Sequence, residues 1–385
     1  MNTGEFRWGT AWTASPQRPG VSFGPTWSVE GFEDHTLRQT VRVSVGGPAL
    51  RIRLSNRYGA TPLRVAGLTV AAGAGGAAVK ADTLRAATVR GRRHFSVPAG
   101  ADLATDAVPI RVEAFDPVTV TMHLAQASGP ATYHAQAIAT TYRAPGEHLA
   151  DGDGAAFTET SASWYHLSGV DVAGAPGDGV VVIGDSLIDG TGSAPDTDQR
   201  FTDLLARRLA AIRPRAVLNQ GIGGNRVTVD SPWLGERATA RFRHDALSHA
   251  GVSTVVVLAG INDIGISEMA ETSPFPVLSP YTQVSAEDVI AGHLDMIRQA
   301  RAAGIRTVGA TLLPMRGSAF STPASEAKRE RINAWIRESA QYDAVIDLAR
   351  ALGDVLDPAH DSGDHLHLND AGYRAMADAV DLTVL

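Results

Sequence analysis

Four short clusters in this 385-residue chain carry residues able to do covalent chemistry. Gly184-Asp185-Ser186-Leu187 places a hydroxyl directly after the apolar run Val180-Val181-Val182-Ile183. Asn219-Gln220-Gly221-Ile222-Gly223-Gly224-Asn225 is rich in glycine, which leaves backbone N–H groups approachable. Gly260-Ile261-Asn262-Asp263 offers a side-chain amide, and Asp364-His365-Leu366-His367 offers a carboxylate three residues before an imidazole. A serine nucleophile needs a base, and an imidazole held by a carboxylate is suited to that work. N–H donors converging on the reacting carbon would stabilise an oxyanion. Taken singly, each cluster has an ordinary reading as a turn, a chain reversal, a helix cap or a solvated loop. Their order along the chain, three of them at the carboxyl ends of successive expected strands, sets the group apart from four unrelated turns.

The elements that must position these residues lie after residue 178. Val180 to Ile183 reads as a strand buried on both faces. Phe201, Leu204, Leu205, Leu209 and Ile212 mark one face of a helix. Ala216 to Leu218, Val255 to Leu258, Val308 to Leu313 and Val345 to Leu348 read as further strands. Between them lie a helix from about Ser285 to Ala302, capped by Ser285 with Asp288, and one carrying Ile332, Trp335 and Ile336. A last helix runs from Asn369 to about Val380. Strands alternating with helices predict a parallel sheet covered on both faces, with ligands at the carboxyl ends of its strands.

The first 170 residues read differently. Val41 to Val45, Leu50 to Leu54 and Val118 to Leu124 alternate with the period of a strand, and Leu63 to Val70, Phe95 to Val97 and Ile110 to Val112 are shorter candidates. Gly46-Gly47-Pro48 is placed as a hairpin turn between the first two runs. Many short strands predict an all-β sandwich or jelly roll. The Gly/Pro-rich stretch around 174–179 marks the boundary, so the expected organisation is a β-sandwich domain over 1–174 and an α/β domain over 178–385.

Composition narrows the function classes. With 44% apolar residues the chain can bury a sizeable core, and no apolar run reaches the roughly 18 residues of a membrane span. A net charge of −7 argues against nucleic-acid partners, which demand a basic face. The absence of cysteine removes disulfides, thiolate metal sites and cysteine nucleophiles. The start, MNTGEFRWGTAWTASPQ, lacks a basic region followed by an apolar one. The expectation is therefore a cytoplasmic protein, or a secreted one if a leader has been removed.

The four clusters together resemble the blocks of the SGNH/GDSL hydrolases, the GDSL esterases and lipases, over residues 178–385. The N-terminal half, through its strand pattern, RIRLSN and TYHAQA, is similar to the β-sandwich of two-domain members. The resemblance implies a three-layer αβα, flavodoxin-like domain and a serine esterase acting through an acyl-enzyme without a cofactor. It implies Ser186 as nucleophile, His367 as base and then acid, and Asp364 as the group orienting the imidazole. It also implies an oxyanion hole from the Ser186 N–H, the Gly224 N–H and the Asn262 amide. Gly221 is the competing glycine, and the N-x-x-x-x-G spacing from Asn219 favours Gly224. Asp185 is assigned an orienting role in the turn. His360, Asp361, Asp364, His365 and His367 also admit a metal-site reading, but the resemblance explains Asp364 and His367 without one. The expected substrate is a small-molecule or carbohydrate ester. The alternatives are an O-deacetylase of carbohydrates or glycosylated metabolites, an acyltransferase, and a carbohydrate-binding protein that has lost turnover; the intact Ser186, Asp364 and His367 argue against the last.

Three further expectations concern the surroundings. Ser267 to Gln283 is longer than a usual strand-to-helix connection; Met269, Phe275, Val277 and Leu278 are candidates for an acyl-binding wall or lid, and the equal alternative is a surface excursion packed on the β domain. Trp233 is read as a core aromatic or a site residue. In the β domain, His134 and Arg51 are candidate polar groups, with a structural role favoured for the histidine.

Overall fold

The computed structural model describes residues 7–21, 23–269 and 276–385. The chain divides into two compact units, Met1–Gly177 and Asp178–Leu385.

The N-terminal unit is largely β-strand. One antiparallel sheet has four strands, in the order Trp8–Thr13, Leu167–Ala173, Leu50–Ser55, Asp102–Ala104. The other runs Glu159–Ser161, Thr141–Pro145, His35–Arg42, Pro117–Leu124, Gly67–Gly75, Ala78–Val79, with Arg85–Ala86 also paired to Gly67–Gly75. Leu50, Ile52 and Leu54 are buried while Arg51 and Arg53 between them are half-buried, as a period of two requires. Gly46-Gly47-Pro48 does not close a hairpin. The strand before it, His35–Arg42, pairs with Pro117–Leu124 and Thr141–Pro145, whereas Leu50–Ser55 pairs with Leu167–Ala173 and Asp102–Ala104. The chain leaves one sheet for the other there. The strand ends at Arg42, yet Val43 and Val45 stay buried, so the alternation continues beyond the strand. Ile110 to Val112 forms no strand, only an isolated bridge from Val112 to Gly47. His134 is stacked on Trp164 with Nδ1 at 3.0 Å from the Ser15 carbonyl, and the Arg51 guanidinium lies over the Trp8 ring.

The second unit is built on a five-stranded parallel sheet. Its strands in chain order are Gly179–Gly184, Val217–Gly221, Val252–Leu258, Arg306–Ala310 and Ala344–Ile346, arranged 2-1-3-4-5. Every residue of the first strand is buried, as expected for the central strand from which the order reverses. The connections leaving the first and third strands therefore run to opposite sides, opening a crevice between their carboxyl ends. Helix Phe201–Ala210 buries Phe201, Leu204, Leu205 and Leu209, but Ile212 falls beyond its end and is 75% exposed. Helix Ala286–Ala302 begins with the Ser285 and Asp288 capping box, and Asn369 caps Asp370–Asp378. Among the described residues, no helix is long and apolar enough to cross a membrane.

Candidate active site

The first strand ends at Gly184, and the chain turns at Asp185 into the single helical turn Ser186–Asp189. Asp185 caps that turn, its Oδ1 accepting from the Leu187 N–H at 3.1 Å. Ser186 thus sits at the carboxyl edge of the sheet. The residue is 6% exposed. It lies against the imidazole of His367, with Nε2 at 2.8 Å from Oγ.

His367 and Asp364 come from one loop. Nδ1 of His367 is 2.5 Å from Asp364 Oδ2, while Asp364 Oδ1 accepts from the amides of Leu366 and His367 at 3.0 and 2.8 Å. Partial burial pushes the Asp364 carboxyl up, but the hydrogen bond and charge of His367, with these two amides, outweigh it and hold it well below the usual carboxylate range. Asp361 shapes the same loop: its Oδ1 accepts from the amides of Gly363 and His365, and its Oδ2 pairs with His365 Nδ1 at 2.6 Å. The five acidic and histidine residues of 360–367 thus divide into two Asp–His pairs with His360 apart. Among the described residues no group of three His, Asp or Glu side chains is arranged to hold a metal ion.

The glycine loop after the second strand offers several amides, most of them already used. Gly221 N–H donates to Asn219 Oδ1 at 2.8 Å, and Gly223 N–H to Asp189 Oδ2 at 2.8 Å. The Gly224 N–H has no partner among the described residues. Gly224 has φ +73°, and a Cβ there would fall 2.7 Å from the Leu234 side chain, so glycine is required twice over. The Ser186 N–H is likewise without a partner among the described residues. Asn262 lies in helix Ile261–Ile266, after the third strand, and its amide donates to the Asn225 carbonyl at 3.2 Å.

Several residues that hold this loop carry no local signal in the sequence. Arg241 is 3% exposed and donates to Asn225 Oδ1, to the carbonyls of Gln220 and Gly184, and to Asp245 Oδ2. It binds the carboxyl ends of the first two strands to the glycine loop that follows the second. Asp245 reaches it from a π-helical turn, Arg243–Leu247, a rare conformation that is frequent at functional sites. Asp263, present in the Gly-Ile-Asn-Asp cluster but given no role from sequence, accepts from the amides of Val227 and Thr228 and from the Thr228 hydroxyl. Behind Ser186, burial pushes the Asp185 carboxyl up to about 7, against the lowering effect of the Leu187 amide. Asp185 Oδ2 has no hydrogen-bond partner among the described residues.

The excursion after Asn262 is tied to the glycine loop: Ser231 Oγ donates to the Ser279 carbonyl at 3.0 Å and Arg226 Nη1 to the Pro280 carbonyl at 2.6 Å. Met269, Val277 and Leu278 are half-buried, as is Trp233, and Phe275 lies outside the described residues.

A family model described as the GDSL-like lipase/acylhydrolase family matches residues 182–375, about half of the chain. The chain is similar to a solved GDSL-like lipase from Bacteroides thetaiotaomicron VPI-5482, at 17% identity over 54% of this chain and 88% of that one, with a TM-score of 0.40. It is similar to an acetylxylan esterase from Geobacillus stearothermophilus, at 20% identity over 55% and 95%, TM-score 0.41. An alpha/beta hydrolase enzyme from the metagenome of Lake Arreo, Spain, is similar at 22% identity over 55% and 95%, TM-score 0.41. No curated protein sequence matches the chain. By the family model over residues 182–375, the chain belongs to the GDSL-like lipase/acylhydrolase family and is a carboxylic ester hydrolase.

Proposed function

We propose that the enzyme hydrolyses carboxylic esters through an acyl-enzyme formed on Ser186. The observation that carries this reading is the continuous chain from Ser186 Oγ to His367 Nε2 at 2.8 Å and from His367 Nδ1 to Asp364 Oδ2 at 2.5 Å. In acylation, Ser186 Oγ attacks the carbonyl carbon as His367 Nε2 takes its proton. The Asp364 carboxylate holds the Nδ1 proton in place and stabilises the imidazolium. That imidazolium then protonates the departing alcohol oxygen as the C–O bond breaks. Water, deprotonated by the same nitrogen, attacks the acyl carbon and releases the acid and free Ser186.

The oxyanion is received by the N–H groups of Ser186 and Gly224 and by the Asn262 amide. The support for the two backbone donors is that both lack a partner among the described residues. Removing one such donor costs about 10²- to 10³-fold in rate. Residues 178–385 are, on this reading, a three-layer catalytic domain, and 1–174 a sandwich-like accessory domain.

Stoichiometric labelling by a fluorophosphonate, mapped to Ser186 by peptide mass, tests the acyl-enzyme. A hydrolysis panel of acyl esters of increasing length beside acetylated sugars assigns the substrate. No labelling and no hydrolysis across the panel would overturn the proposal.

A further inference from the structure

In the N-terminal unit, residues 89–92 form a tight reversal, with Val89 bridged to Arg92 and the central Arg90 and Gly91 at φ +52° and +75°. These are the signs demanded by a two-residue turn that follows the strand twist. Asp106 makes the turn rigid. Its Oδ1 accepts from the Arg90 amide at 3.0 Å, and its Oδ2 accepts from the Gly91 amide and the Thr88 hydroxyl at 2.8 and 2.7 Å. The nearest carboxylate of the turn is thus spent on the backbone.

The chain continues through Arg93 and His94 into strand Phe95–Val97, which pairs with Leu63–Val65 so that Arg64 faces Ser96. A groove of about 310 Å³ opens there, lined by Arg64, His94, Phe95, Ser96 and Gln126. Arg64 donates to Gln126 Oε1 at 2.6 Å, and the Phe95 ring is half-buried. Arg64, Arg90, Arg92, Arg93 and His94 are exposed, and none has an ion-pair partner among the described residues. Other arginines of this unit are paired, as Arg143 is with Glu30 and Glu159 and Arg53 with Asp171. Arg64 and His94 line the groove, and Arg90, Arg92 and Arg93 lie within four residues of His94 along the chain, so this short stretch concentrates positive charge in a chain whose net charge is −7.

We propose that this groove binds an acidic, uronate-bearing polysaccharide. Guanidinium groups match carboxylates in bidentate geometry. The Phe95 ring offers an apolar face for the C–H side of a sugar, and the Arg64–Gln126 pair offers polar groups for its hydroxyls. A single aromatic is not the series of rings on which successive nucleic-acid bases stack. For the choice of polymer the proposal rests on carbohydrate esters being among the enzyme's substrates. The binding readout involves no turnover, so it can fail while that reading stands, and wild-type hydrolysis of acetylated sugars tests that reading separately.

The test is a titration of the full chain with polygalacturonate, neutral acetylated xylan and duplex DNA under identical salt. Polygalacturonate is expected to bind about tenfold or more tighter than xylan, and to weaken as salt rises. The combined change Arg90→Ser, Arg92→Ser and Arg93→Ser should lower that affinity about tenfold or more while leaving the melting temperature unaltered. Should that variant lose its fold, Arg64→Gln replaces it with the same expected direction. Equal binding of polygalacturonate and xylan, binding of DNA as tight as polygalacturonate, or unchanged affinity in the folded variant would each overturn the proposal.

Discussion

Arg241 donates to Asn225 Oδ1 at 2.9 Å, and the Asn225 carbonyl in turn accepts from the Asn262 amide at 3.2 Å. A buried guanidinium therefore acts on a proposed oxyanion donor through one intervening residue. Arg241→Lys keeps a charge opposite Asp245 but cannot reach all four acceptors. It should lower kcat about tenfold with little change in KM, measured per fluorophosphonate-titrated site. Arg241→Met leaves the buried Asp245 with His244 alone opposite it and should cost about 3 kcal/mol of stability by denaturant unfolding. Loss of folded enzyme with kcat per titrated site unchanged would show that Arg241 only stabilises the fold.

Ser186→Ala removes the hydroxyl and nothing from the core. Ester hydrolysis should fall at least about 10³-fold, with the melting temperature retained. Retention of more than about a tenth of the wild-type rate would exclude Ser186 as the nucleophile.

His367→Ala should be as damaging as loss of the serine, since the members of such a unit act together. Asp364→Asn keeps the shape of the Nδ1 contact but favours the wrong tautomer, so it should cost as much or less, up to about 10⁴-fold. His365→Ala should be mild, because its ring pairs with Asp361 and not with the serine. A severe His365 variant beside a mild His367 variant would reverse the assignment.

Asp185 makes stability depend on pH. Its folded-state carboxyl is raised to about 7 by burial, whereas an unfolded aspartate titrates near about 3.9. Between these values the folded state holds the extra proton, so this group's contribution is greatest below the lower value. It falls as pH rises and levels off above the higher one. Asp185→Asn removes the burden while its carbonyl still accepts from Leu187. Its melting temperature relative to wild type should be more favourable at alkaline than at mildly acidic pH. The same difference at both would contradict the raised carboxyl.

Chelation by EDTA should leave the rate unchanged, because both ring nitrogens of His367 are already engaged, with Ser186 and Asp364. Loss of activity restored by added zinc would revive a metal reading of the 360–367 loop.

What the sequence determined by itself is local and periodic. A fully buried strand has an unbroken apolar run, so Val180 to Ile183 announces itself and the residue at its carboxyl end can be named. An Asp three residues before a His can meet it within one loop, so Asp364 and His367 could be paired before any fold was known. For the glycine, the spacing from Asn219 could favour Gly224 over Gly221 and no more. That Asn219 takes the Gly221 amide, and that no group among the described residues takes the Gly224 amide, is read only from the folded backbone. The hairpin expected at 46–48 failed for a related reason: turn chemistry reports a change of direction, and which sheet receives the next strand depends on partners more than 100 residues away. Arg241 lies 16 residues from Asn225 and 57 from Gly184. A solitary arginine has no periodicity and no spacing rule, and the meeting of Gly184, the 220–225 run and Asp245 around it was decided only by the tertiary structure.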